Sequence, residues 1–457
     1  MSVKLYNSLS RQIEDFKPTG KTISLYTCGP TVYNYAHLGN LRAFVFEDVL
    51  KRILIANKYK VKHIMNITDV GHLVSDADTG EDKMEKGAAR EGKTAWDVAK
   101  FYTEAFFNDL NELNILPANK YPRATDHIKE QISLIKQLEK KGFTYRTSDG
   151  IYFDTSKFEN YGKLALLSGQ SLEAGARVEM GEKKHATDFA LWKFSPAGQK
   201  RQMEWPSPWG VGFPGWHIEC SAMAVKYLGQ PIDIHCGGID HIPVHHTNEI
   251  AQSEAASGIP LANYWLHSEF LVLGKEKMAK SGNNFFTLAV LKEKNISPLA
   301  YRYFLLQAHY RKQLNFTFEA VEAAQNGLKR LYDTASKLKS SGPKTEDKNL
   351  VKNIYDKFAD DLNTPSALGA IWEALNKNEL SFKTLLKFDE ILGLDIKNNL
   401  SKKTDQIISD DIKKIITERD EARKNKNWTE SDRLRKKLED LGYKVEDTSS
   451  GTKVIKL

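Results

Sequence analysis

The chain has 457 residues, and its 66 Lys and Arg stand against 59 Asp and Glu, a formal net charge of +7, so any basic surface is a local feature. With 41% apolar and 10% aromatic residues it is excluded from the disordered and collagen-like classes, and no apolar run approaches the ~20 residues of a membrane span. Three cysteines, Cys28, Cys220 and Cys236, cannot all pair and are too sparse for a disulfide framework, and Met1 to Lys21 has no secretory-type apolar core, so a reducing cytoplasm is expected.

In chain order, Ile23-Ser24-Leu25-Tyr26 reads as a short strand that breaks at Cys28-Gly29-Pro30. From Gly39 the apolar residues Leu41, Phe44, Val45, Val49, Leu50, Ile53 and Leu54 recur at helical spacing, and Val61 to Ile67 reads as a second strand. That is a parallel α/β unit. Helical patterns follow at about 95–113 and 126–141, then a stretch punctuated by Gly and Pro. A second α/β stretch begins near Trp216: Ile232 to His235 is a strand ending in Cys236-Gly237-Gly238, and Pro243 is placed to start a helix running to about Ala256. Phe270 to Leu273 is a strand leading into the loop Gly274 to Asn284. From about Phe318 the chain turns helical, with hydrophilic breaks at 339–348 and 397–406, and ends in a hairpin around Ser449-Ser450-Gly451.

Gly87 to Thr94 matches the phosphate-cradling G-x-x-x-x-G-K-[ST] pattern letter for letter. The pattern needs a buried strand before it, and Asp76 to Lys86 is polar, so a charged turn before a helix is expected instead. His245 and Glu249 are four apart on a helix and share a face, whereas His246 points about a third of a turn away. With Cys28 and Cys220, both near breaks in the α/β stretches, they would make a zinc-type donor set, but an ordinary helical His–Glu contact accounts for the spacing as well. His37-Leu38-Gly39-Asn40 falls where a loop becomes a helix, a place that attracts phosphate. Lys277-Met278-Ala279-Lys280-Ser281 offers two lysines in a Gly-flanked loop, either phosphate clamps or solvated charges.

The ordered set Tyr26 to Tyr33, His37 to Asn40, Asn66 to Asp69, Pro214 to Met223, His245 to Glu249 and Lys277 to Ser281 resembles the cysteinyl-tRNA synthetases, of the class I aminoacyl-tRNA synthetases, from near the N-terminus to Gly451. The resemblance implies a Rossmann-like α/β catalytic core (1–126 and 212–262) with an inserted connective domain (127–211). A linking subdomain (263–324), an α-helical bundle (325–405) and a small α+β anticodon-binding module (406–457) would follow. It implies one zinc ion on Cys28, Cys220, His245 and Glu249, with ATP and Mg2+ handled by His37, Gly39, Asn40, Lys277 and Lys280, of which His37, Lys277 and Lys280 are catalytic. Gly29, Thr68, Trp216, His235 and Asp240 are expected around the amino acid. The implied partners are L-cysteine, ATP and tRNA(Cys), with no membrane, and the implied state is a monomer. Asn40 stands where the family signature ends in His, Ala279 replaces a Ser, and Val70-Gly71-His72-Leu73 departs from the common continuation.

In the terminal module basic residues including Arg419, Arg423, Arg433 and Arg435 are interleaved with acids, so the charge pattern alone describes a solvated helical surface. The resemblance promotes it to an anticodon reader, with Trp428 and Tyr443 as stacking faces. Two other functions fit the same signatures: a cysteine ligase with an amino-sugar acceptor of the mycothiol type, and a non-catalytic tRNA-binding relative. The long C-terminal extension argues against the first, and the intact His37, Lys277, Lys280 and metal tetrad against the second.

Overall fold

Four parallel strands make the central sheet of the computed structural model, which describes residues 2–70, 83–166, 182–195, 201–274, 276–277, 285–343, 347–404, 410–448 and 451–456. They are β1 (Thr22–Thr27), β2 (Lys60–Met65), β3 (Ile232–Gly238) and β4 (Ala262–Ser268), in the spatial order β4-β3-β1-β2. Apolar residues along them, among them Leu25, Ile64, Ile234 and Leu266, are buried, as expected of strands covered on both faces. Helix α1 (Leu38–Ala56) connects β1 to β2, and α3 (His245–Ser257) connects β3 to β4. The direction of travel reverses between β1 and β3, where Leu25 lies opposite Ile234 and Cys28 N–H donates to Cys236 O at 3.1 Å. At such a switch point the loops leaving the strand ends part and open a crevice.

Between the two halves the chain builds a four-stranded antiparallel sheet from Thr144–Arg146, Gly150–Phe153, Phe189–Phe194 and Gly212–Pro214. It leads into α2 (Trp216–Leu228). Leu271–Leu273 pairs antiparallel with Glu276–Lys277 and parallel with Leu314–Asn315. Helices α4 (Pro298–Leu306), α5 (Phe318–Ser341), α6 (Lys348–Ala359), α7 (Thr364–Asn376) and α8 (Phe382–Leu392) follow. A buried ion triad fastens α1 to this region: Asp48 Oδ2 lies 2.7 Å from Arg52 Nε and 2.6 Å from Arg302 Nη2. Burial alone would raise the Asp48 pKa, but Arg302 and Arg52 outweigh it and hold the carboxyl below its ordinary value.

The chain falls into two compact units, Met1–Leu394 and Asp395–Leu457. In the second, helices Asp410–Lys424 and Trp428–Asp440 and the hairpin Tyr443–Thr448/Gly451–Lys456 enclose Ile412, Ile415, Leu434, Leu438 and Val445. Arg419 is buried there on Asp447, at 2.7 Å. Tyr443, at the start of the hairpin, is partly buried against this small core, whereas Trp428 is 58% exposed.

Two local expectations change. Pro243 does not start α3; the chain first makes a single 3-10 turn, Ile239–His241, and α3 begins at His245 with Val244 as its N-cap. Gly87 to Thr94 spans the end of helix Lys83–Glu91 and the Thr94 side-chain cap of helix Ala95–Glu112, a helix-turn-helix connection in which, among the described residues, a helix and not a strand leads into Gly87. Cys28, Cys220 and Cys236 are all free and buried. Among the described residues no helix is long and apolar enough to cross a membrane.

Candidate functional site

The crevice at the strand ends is a cleft of about 320 Å³. Cys28, Gly29, His37, Gly39, Asn40, Thr68, Trp216, Cys220, Asp240 and His245 all line it. His235 and Glu249 lie immediately behind, fully buried. The Lys277 backbone pairs with Val272, its side chain lies outside the described residues, and Lys280 does so altogether.

Each side of the cleft is held by local sequence. Gly29 N–H donates to Asn66 Oδ1 at 2.9 Å, and the approach is so close that a Cβ at residue 29 would lie 1.8 Å from Asn66 O. Only glycine fits there. Asn66 Nδ2 in turn donates to Thr68 Oγ1 at 3.0 Å, which fixes the hydroxyl at the mouth. Trp216, the first residue of α2, stacks obliquely on His245, with ring centres 4.4 Å apart.

His37 is the N-cap of α1. Its Nδ1 accepts from Asn40 N–H at 3.0 Å, and Asn40 Oδ1 accepts from His37 N–H at 3.3 Å, a reciprocal capping box. With Nδ1 occupied as an acceptor, a neutral ring carries its proton on Nε2 and keeps that N–H as its donor. The tautomer is set by the Asn40 backbone N–H, while the short Asn40 carboxamide reaches back to the N-cap backbone and closes the box. Leu38 N–H donates to Phe286 O at 2.8 Å, joining the helix start to the chain that follows the lysine motif. Asn40→Ala is expected to cost about 1 kcal/mol of stability through the lost cap. Asn40→Asp keeps the acceptor and the stability but sets an anion at the helix start, raising the KM for ATP roughly tenfold, as for ~1.4 kcal/mol of repulsion. Denaturant unfolding and ATP-dependent kinetics check the two effects separately.

The donor atoms of Cys28, Cys220, His245 and Glu249 lie within 4.8 Å of one another. Cys28 comes from the end of β1, Cys220 from α2, and His245 and Glu249 from one face of α3, with His245 Nε2 3.1 Å from Glu249 Oε1. Burial pushes the Cys28 thiol and the Glu249 carboxyl well above their ordinary values, while Cys220 is lowered, chiefly by its hydrogen bond with Cys28. Three acids in one dry place cannot all ionise unless a cation joins them. Glu249 Oε2 is buried with no hydrogen-bond partner among the described residues. Two sulfurs, an imidazole and a carboxylate at these separations fit a zinc-like ion.

The sequence reading passed over His217, Trp265 and His267, and set His246 aside. His217 Nδ1 lies 3.0 Å from His245 Nδ1, and His235 stacks on Trp265 with centres 4.4 Å apart. His246 Nε2 lies 3.3 Å from Cys28 Sγ, because Cys28 sits between the His245 and His246 faces of α3. Burial lowers the pKa of His235 and His246, helped by neighbouring histidines, and takes His267 down to about 3, so these rings are neutral at pH 7. His267 carried one usable signal, its place at the carboxyl end of a parallel strand.

Two family models match the chain: tRNA synthetases class I (C) catalytic domain over residues 15–326, and cysteinyl-tRNA ligase anticodon binding domain over 405–454. A cysteine–tRNA ligase 1 of Burkholderia lata is 49% identical over 459 residues, covering 99% of this chain and 97% of that protein. A cysteine–tRNA ligase of Treponema denticola is 45% identical over 488 residues, covering 99% of each. Among solved structures, a methionyl-tRNA synthetase of Mycobacterium tuberculosis in complex with methionyl-adenylate superposes with a TM-score of 0.59 at 17% identity, covering 84% of this chain and 91% of that one. At that identity the likeness speaks to the fold alone. With the catalytic-domain model spanning most of the chain and relatives near half identical along nearly all of it, the chain belongs to the cysteine–tRNA ligases of the class I aminoacyl-tRNA synthetases.

Proposed function

We propose that the protein joins L-cysteine to tRNA(Cys) at the expense of ATP, through a cysteinyl-adenylate, in the cytoplasm and as a monomer. The cysteine carboxylate attacks the α-phosphate and pyrophosphate leaves; a terminal ribose hydroxyl of the tRNA then attacks the adenylate carbonyl and AMP leaves. Such chemistry asks for positioning and charge stabilisation more than for a side-chain nucleophile. His37 Nε2–H and Lys280 would meet the charge developing on the phosphates, with Lys277 supporting the loop and Gly39 and Asn40 admitting the nucleotide to the helix start, where the helix dipole favours an anion. Mg2+ would accompany ATP. Gly29, Thr68, Trp216, His235 and Asp240 would surround the amino acid.

Cys28, Cys220, His245 and Glu249 would hold one zinc ion, whose soft Lewis acidity favours a deprotonated thiol over a hydroxyl. Discrimination is needed here because serine is close to cysteine in shape, and a pocket separates such near-isosteres weakly. The supporting observation is that both halves of the sheet deliver donors to one buried point beside the cleft that carries His37 and Asn40. Amino-acid-dependent ATP–pyrophosphate exchange run over all twenty amino acids, with metal analysis of the same sample, is the test. Exchange with cysteine alone and one zinc per chain is expected; exchange led by any other amino acid would refute the reading.

The domain limits drawn from composition, 1–126, 127–211, 212–262, 263–324, 325–405 and 406–457, are proposed with this function. An amino-sugar acceptor is disfavoured by the match of 405–454 to an anticodon-binding family. Removing Asp395–Leu457, a compact unit, should leave pyrophosphate exchange within about twofold and lower tRNA charging by tenfold or more, roughly the 1.4 kcal/mol that one lost base contact is worth. Charging assays on the truncated chain check this.

A further inference from the structure

His246 is fully buried, and both of its ring nitrogens have neighbours: Nε2 lies 3.3 Å from Cys28 Sγ, and Nδ1 lies 2.8 Å from His267 Nε2. His267 continues the line, its Nδ1 lying 2.8 Å from Ser8 Oγ. Four separate pieces of chain contribute: the turn after strand Lys4–Asn7, the end of β4, the first turn of α3 and the end of β1. Of the four residues none is more than 8% exposed, so water does not interrupt the line.

A neutral imidazole has one donor and one acceptor, so fixing the direction of one bond fixes all the others. A metal-binding cysteine is a thiolate, which only accepts. His246 Nε2–H then donates to Cys28 Sγ, His246 Nδ1 accepts from His267 Nε2–H, and His267 Nδ1 accepts from the Ser8 hydroxyl. Every nitrogen is satisfied, and Ser8, whose hydroxyl can rotate, supplies the terminal proton donor.

The opposite polarity would aim the His246 Nε2 lone pair at Cys28, as a second metal seat would require. Donor atoms of Cys28, His235, His246 and Glu249 do lie within 4.8 Å of one another. That set shares Cys28 and Glu249 with the first, however. An ion held by Cys28, Cys220, His245 and Glu249 engages both anionic donors of the second set and leaves it two neutral rings.

We propose that Ser8, His267 and His246 are positioning residues of the metal site, a relay that delivers one N–H to the Cys28 thiolate. The inference rests on the zinc reading above. A hydrogen bond to the sulfur stabilises the thiolate against reprotonation and draws charge from it, so the ion is held more firmly and stays more acidic toward a further sulfur.

The test uses the full chain with His246→Phe, His246→Gln and Ser8→Ala, loaded separately with zinc and with cobalt. His246→Phe is expected to speed zinc loss to a chelator about tenfold and to move the cobalt–thiolate charge-transfer band to longer wavelength. Ser8→Ala should shift both in the same direction by less, and His246→Gln, which retains an N–H, should recover part of each. An unchanged band and release rate in both His246→Phe and Ser8→Ala would overturn the relay, as would a second equivalent of cobalt bound by the natural chain and lost in His246→Phe. Should His246→Phe fail to fold, Ser8→Ala decides alone, by shift or by identity. A natural chain that binds no metal at all would overturn the zinc reading first and the relay with it, an outcome distinct from the others.

Discussion

Cys220→Ser is expected to lose its zinc and, with it, cysteine-dependent pyrophosphate exchange down to background. Cys220 is fully buried on α2 beside Cys28, so replacing the thiol removes one of two soft donors and leaves Cys28 and Glu249 as acids in a dry site. Partners one bond further out typically contribute 10–100-fold to metal affinity, and a direct ligand contributes more. Side-chain volume hardly changes, so the fold should survive and the loss can be read at the site itself. Metal analysis, circular dichroism and exchange kinetics on one preparation make the measurement. Exchange at the natural rate in a folded, metal-free variant would end the case for a metal at this place.

The second large effect is on stability. Arg302→Ala is expected to cost about 3–5 kcal/mol, the range seen when one partner of a buried ion pair is removed. Arg302 is fully buried, pairs with Asp48, and donates to Leu392 O at 2.6 Å and Leu113 O at 3.0 Å. Truncation takes one of two guanidinium partners from the buried Asp48, leaving it Arg52, and strands two carbonyls. The same contact explains Gly393, the left-handed cap of α8 at φ +66°: a Cβ there would lie 2.5 Å from Arg302 Nη2, so Gly393→Ala should destabilise as well. Folded Asp48 titrates below the unfolded value of about 3.9, so the unfolded chain binds more protons in that window. The contribution of the triad is therefore complete above that pH and is lost as acid carries the pH down through the folded pKa. Denaturant midpoints at neutral and acid pH, with and without the substitution, check both size and sign.

The triad also bears on the site. Asp48 and Arg52 sit on the same helix that begins at His37, and Arg52 and Arg302 tie that helix to α8 through Glu390 O and Leu392 O. The helix start is in turn pinned by the Tyr301 hydroxyl, which donates to Leu38 O at 2.7 Å. The direction in which His37 is offered to the cleft is thus set from both ends of α1.

Much of this was legible in the residues themselves. Apolar period marked both halves of the sheet, because a strand covered on both faces must be apolar along its length, as Leu25 and Ile234 are. The i, i+4 spacing of His245 and Glu249 put two donors on one face, because 3.6 residues per turn leaves no other arrangement. The missing strand before Gly87 dismissed a phosphate loop, because its backbone needs a sheet edge to leave from. By contrast, Pro243 misled: proline suits a first helical position, but the 3-10 turn at Ile239–His241 used the preceding residues and delayed the helix to His245.

What the linear chain could not decide was which distant groups meet. Cys28 and Cys220 come together only because β1 and α2 pack across the switch point, and spacing along the chain carries no information about that distance. His246 faces away from His245 by helical geometry and yet reaches Cys28, since the sulfur sits in the angle between the two rings. Tyr443 and Arg419 looked like surface groups and are packed, because the terminal helices and hairpin turn those positions inward. Local periodicity is a property of neighbours along the chain, and it determined the elements. The donor set, the histidine relay and the ion triad are long-range contacts, and they exist only once burial has chosen which faces of those elements touch.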